Sequence, residues 1–116
     1  MTTPRNVPND IIDAVIATRR RMHRFPELSN EEIETTALLR RELTNAGLTD
    51  IRPVGHTVAV RADIDALPVT EQTQLSFASE TRGVMHACGH DVHAATILGM
   101  VLAVQPDSSR TPLLLK

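Results

Sequence analysis

Between Gly83 and Ala95 the chain reads Gly-Val-Met-His-Ala-Cys-Gly-His-Asp-Val-His-Ala-Ala. The stretch holds the only cysteine, Cys88, together with His86, His90, His93 and Asp91. Each of these side chains can bind a first-row transition metal or move a proton. Cys88 and His90 flank Gly89, and glycine allows the tight backbone bend that would bring both around one ion. A helix starting just beyond would favour the thiolate. Zinc, manganese, cobalt or nickel would each accept a thiolate–imidazole pair, and the remaining ligands would decide among them. Two other readings stay open at this point. One is a thiol nucleophile activated by a neighbouring histidine. The other is an inert buried cysteine beside histidines that cap a helix.

A second group of candidates lies upstream. Val58, Val60 and Ala62 alternate with Thr57, Ala59, Arg61 and Asp63, which predicts an inner strand over 57–64 that ends by presenting Asp63 and Asp65. Ligands gather outside the carboxyl ends of such strands. On an extended strand both carboxylates point to the same side, and one of them can orient a histidine ligand. The plainer reading is a solvated strand-end turn neutralised by Arg61. His23, three residues before Pro26, is either a site residue or a cap at the end of its helix, and on physics alone the cap is favoured. His56 lies in a Gly-His turn and receives no role, and Met85 and Met100 read as core.

These residues need elements to hold them. Asn9 or Asp10 can cap a first helix whose stripe is Ile12, Val15, Ile16, Arg19 and Met22/His23. Arg19, Arg20, Arg21 and Arg24 crowd its C-terminal end, where the helix dipole favours cations, and Pro26 stops it. Ser29 and Glu32 have the spacing of a capping box, with Leu28 and Ile33 as its staple. Loss of the Ser29 hydroxyl is then expected to cost about 1 kcal/mol. In that second helix Ile33, Ala37, Leu38 or Leu39, Leu43 and Ala46 face inward, and Gly47 ends it in a left-handed conformation. Asp50–Val54 reads as a short strand, and 69–82 as a polar surface excursion. A third, buried helix runs from Ala94 to Val104 with Asp91 as its N-cap. The closing Leu-Leu-Leu-Lys resembles the start of a further strand. The fold class expected is α/β.

Composition narrows the classes. The chain has 116 residues, enough for one small domain, with 41% hydrophobic and 22% charged residues. A net charge of −2 without a basic run argues against nucleic acid and anionic membrane as partners. A single cysteine excludes an internal disulfide and fits a reducing compartment. The N-terminus has no apolar run of the secretory kind, and no stretch reaches the ~20 apolar residues of a membrane span. A cytoplasmic, soluble protein is expected, with residues 1–8 as a tail.

Three blocks, taken together, closely resemble the M20 metallopeptidase family in its amidohydrolase branch. They are Arg20-Arg-Met-His-Arg-Phe-Pro-Glu-Leu-Ser29, Val58-Ala-Val-Arg-Ala-Asp-Ile-Asp-Ala-Leu-Pro68 and Gly83-Val-Met-His-Ala-Cys-Gly-His-Asp-Val-His93. The branch includes hippurate hydrolases, N-acyl-amino-acid deacylases and auxin-conjugate hydrolases. The resemblance covers about residues 9 to 104. It implies a three-layer α/β/α catalytic domain, of which residues 9–116 would be the first part, without the small lid domain. It implies a binuclear divalent-metal site with Cys88 and His90 as two ligands, Asp65 as the catalytic aspartate that supports it, and hydrolysis of N-acyl amino acids or similar small amides. A glutamate serves such proteins as general base. The adjacent glutamates and later histidine ligands have no counterpart within 116 residues, and Val54-Gly55-His56-Thr57 stands where relatives have a longer segment. The 116-residue chain is therefore expected to be an N-terminal fragment or remnant, inactive alone. The competing expectation is a non-catalytic remnant that binds metal weakly or self-associates through apolar surface where the rest of a sheet would dock.

Overall fold

A computed structural model describes residues 6–47 and 60–103. It contains three helices: α1 (Asn9–Arg24), α2 (Ile33–Asn45) and α3 (His90–Ala103). The strand expected at 50–54, most of the first half of that expected at 57–64, His56 and the C-terminal leucines lie outside the described residues.

The helix α3 packs against both others. Ala94 and Ala95 join Met22 of α1 and Leu38 of α2, while Leu98 and Val101 join Leu43 of α2. Gly99 lets α1 come close, because a β-carbon there would stand 3.0 Å from Val15 Cγ2. The inner face of α1 differs from the expected stripe. Thr18, Met22 and His23 are buried, whereas Ile12 and Ile16 are each 42% exposed. Met100 is exposed as well and not core.

The start of α2 corrects the capping expectation. Glu31 N–H donates to Leu28 C=O, and Asn30 takes a positive φ of 69°. This turn carries Ser29 away from the first helical turn, and Ile33 is left 75% exposed, so neither box nor staple forms. The Glu27 carboxylate takes over, accepting the backbone N–H groups of Glu34 at 3.1 Å and Thr35 at 2.8 Å. Burial raises the Glu27 pKa, but these backbone donors outweigh it and hold the group below the usual carboxylate value. The cost of about 1 kcal/mol for a lost cap therefore belongs to Glu27→Ala, read as a shift in urea midpoint, and Ser29→Ala is expected to be close to neutral. Gly47 closes the helix at φ 85°, as expected.

Residues 60–66 behave as an extended segment. Ala62 and Ile64 pack on the cluster around Met22, and Ala66 is buried, while Arg61 and Asp63 face solvent. That is the alternation of a strand. Among the described residues it makes only isolated bridges, Leu28 with Ala66 in parallel and Leu67 with Met85 in antiparallel sense. A ladder needs a partner along its length, and here pairing is confined to these points. The second bridge closes the irregular excursion 69–82 and delivers the chain to His86.

Candidate metal centre

Asp65 leaves the end of the extended segment, and His90 opens α3. His90 Nδ1 lies 2.9 Å from the Asp65 backbone oxygen and 3.0 Å from Asp65 Oδ1. A carbonyl oxygen only accepts, so Nδ1 carries the proton. In the neutral ring this leaves the lone pair on Nε2, the nitrogen available to a metal. A ligating histidine whose other nitrogen donates to a carboxylate or carbonyl is the usual arrangement around metals. Cys88 is exposed, two residues away across Gly89, whose φ of 87° only glycine adopts without strain. The donor chemistry thus fits a divalent ion that takes sulfur and imidazole nitrogen. Among the described residues no group of three or more His, Cys, Asp or Glu side chains is arranged to hold one.

Asp63 takes no part. Its Oδ1 accepts from Arg61 at 2.9 Å on an exposed surface, the neutralised-turn alternative for this residue. The two aspartates that the sequence pairs are separated in role by their partners.

Asp91 overturns another expectation. Gly89 precedes α3 and its C=O accepts from Val92 and His93. Asp91 therefore sits inside the first turn and not at the cap, 1% exposed. Its Oδ2 accepts from Arg19 Nε at 2.9 Å and lies 2.8 Å from His23 Nδ1. His23 is no helix-end cap either. It is 3% exposed, and its Nε2 lies 2.9 Å from Glu71 Oε1. A carboxylate oxygen thus stands within hydrogen-bond distance of each ring nitrogen of His23. Phe77 closes over the group, edge-on to His23 at 5.5 Å, with the Arg19 and Arg20 guanidinium groups 5.0 and 5.2 Å from its centroid.

Glu71 completes the chain of contacts. It accepts from Thr73 Oγ1 and from the Ser79 backbone N–H at 2.6 Å. Burial alone would raise its pKa, but the Thr73 hydroxyl, the His23 ring and the Ser79 N–H pull it down to about 2. A folded-state value below the ordinary 4.5 means that ionised Glu71 stabilises the fold. That contribution is complete above pH 4.5 and is lost as pH falls toward about 2. Urea midpoints measured from pH 6 down to 2 are expected to fall less steeply in Glu71→Gln than in the native chain.

His86 is 4% exposed, and neither ring nitrogen has a hydrogen-bond partner among the described residues; the same holds for Asp91 Oδ1. Burial pushes the His86 imidazole below its ordinary value; Asp91 opposes this, and His23 and His90 reinforce it. The His93 ring stands 6.1 Å from that of His90, centroid to centroid, and is exposed.

Residues 59–111 match the model of peptidase family M20/M25/M40. The chain is 46% identical over 100 residues to an N-acetyl-L-cysteine deacetylase of Bacillus subtilis, covering 73% of this chain and 24% of that protein. It is 42% identical over 103 residues to the IAA-amino acid hydrolase ILR1-like 5 of Arabidopsis thaliana, covering 78% and 24%. The fold superposes with a TM-score of 0.77 and 41% identity on the crystal structure of a Bacillus subtilis dinuclear metal-binding peptidase from the M20 family, over 84% of this chain and 32% of that one. The chain thus spans about a quarter of the length of those two curated relatives.

Proposed function

From the premise that this chain belongs to peptidase family M20/M25/M40, within its amidohydrolase branch and with its α/β fold, we propose that it carries half of the metal centre of an enzyme hydrolysing N-acyl amino acids. Cys88 and His90 would be two of the ligands, and Asp65 would orient His90. The observation that carries this is the double contact of His90 Nδ1 with Asp65, which leaves Nε2 without a hydrogen-bond partner among the described residues, two positions along the chain from an exposed thiol. A divalent ion, when bound, supplies Lewis acidity and brings water near ionisation at neutral pH. The chain's own part is to hold the imidazole in one tautomer and one orientation through Asp65, and to present Cys88 across the Gly89 bend. Zinc suits a thiolate–imidazole pair, and manganese, cobalt and nickel are the other candidate ions. Residues 9–116 are read as part of the catalytic domain, in the cytoplasm. No helix among the described residues is long and apolar enough to cross a membrane.

The substrate class follows from relatives named for N-acetylcysteine deacetylation and for hydrolysis of IAA–amino acid conjugates. A second reading, a metal-binding or self-associating remnant, is favoured by the exposed apolar groove of Val7, Ile12, Ile16 and Met100. A graft separates them. The segment of the Bacillus deacetylase that matches this chain is replaced by this chain's residues, and N-acetyl-L-cysteine hydrolysis is measured with zinc or manganese. The enzyme reading expects turnover from the graft and none from residues 1–116 alone. A folded, metal-loaded graft without turnover would favour the remnant.

A further inference from the structure

We propose that His23 is a positioning residue for the Cys88–His90 pair, acting through Asp91 on one side and Glu71 on the other. The inference rests on the reading of Cys88 and His90 as metal ligands. His23 touches neither of them. It holds instead the residue next to His90: Asp91 is gripped by Arg19 and His23, which are four apart on one face of α1. The other ring nitrogen holds Glu71, and Glu71 gathers Thr73 and Ser79 of the excursion that leads into Gly83–His90. Ser79 Oγ in turn donates to Val84 C=O at 2.7 Å. The loop carrying Cys88 is thus tied at both ends to α1, while the His90 ring is fixed separately by Asp65.

Stability alone gives a poor account of this cluster. Buried ion pairs replaced by apolar residues of similar volume are often neutral or more stable. A buried polar network tied to two elements beside a bend at φ 87° makes sense when the bend must hold one shape. Partners of this outer kind are worth about 10–100-fold in metal affinity.

The test is a cobalt(II) titration of the 116-residue chain, followed by thiolate-to-cobalt charge-transfer absorption, with helix content read by circular dichroism. The native chain is expected to show the band and Cys88→Ser to lose it. His23→Gln is expected to retain the band's shape and bind cobalt about 10-fold more weakly. Should His23→Gln not fold, Glu71→Gln decides. It keeps the size and an acceptor oxygen, contacts neither ligand, and is expected to weaken binding several-fold. Native affinity in either folded variant overturns the positioning role while leaving the metal reading intact. No thiolate band in the native chain overturns both.

Discussion

Replacing Asp91 with alanine is expected to remove about 3–5 kcal/mol of folding stability, the range for breaking a buried charge pair from one side. Among the described residues Asp91 is the only anion on His23 Nδ1, and the same oxygen holds Arg19. Its loss leaves the Arg19 guanidinium and the His23 ring, 3% exposed beneath Phe77, without their shared partner. For a chain of this length the loss corresponds to a fall in Tm of at least about 10 °C. Asp63 provides the contrast. It too pairs with an arginine, but on the surface, with Arg61 87% exposed. Such pairs are worth about 0–1 kcal/mol, so Asp63→Ala is expected to move the midpoint little. Thermal unfolding of the two variants side by side reads the difference. Overlapping curves for Asp91→Ala and the native chain would mean that the buried network does not hold the fold.

The second large effect concerns the thiol. In the graft on the Bacillus deacetylase, Cys88→Ser is expected to lower kcat/KM by at least about 100-fold, because even partners that merely orient a ligand are worth 10–100-fold. Asp65→Asn should fall within that lower range. Its side chain supports His90, and the backbone C=O of residue 65 continues to accept from Nδ1. The order, Cys88 above Asp65, distinguishes a ligand from the group that orients one. An Asp65 effect as large as that of Cys88 would give the carboxylate a direct part in the reaction.

Features written in short stretches of sequence were readable from it. The Cys-Gly-His bend and the termination of α2 at Gly47 follow from residue type and spacing; the strand end offered Asp63 and Asp65 alike, and the family resemblance singled out Asp65, which meets His90. The network around His23 was not readable in this way. His23 and Asp91 are 68 residues apart, and His23 and Glu71 are 48 apart. At position 23 the local sequence offers only a histidine near a helix end, where a cap is the simplest inference. Ser29 misled for the opposite reason: Ser-x-x-Glu is a good local pattern, but a left-handed turn at Asn30 intervened and Glu27 took the donors. The inner strand expected over 57–64 holds, among its described residues, only as alternation from Arg61 onward: Val60 is 51% exposed and no strand forms there. Pairing depends on a neighbour that alternation does not specify.

The central claim is that Cys88 and His90 are metal ligands. Zinc K-edge X-ray absorption on the zinc-loaded 116-residue chain tests it most directly. The account predicts one sulfur at about 2.3 Å and nitrogen at about 2.0–2.1 Å, with the sulfur lost in Cys88→Ser. A shell of nitrogen and oxygen alone in the native chain, or a sulfur that survives the substitution, would contradict it.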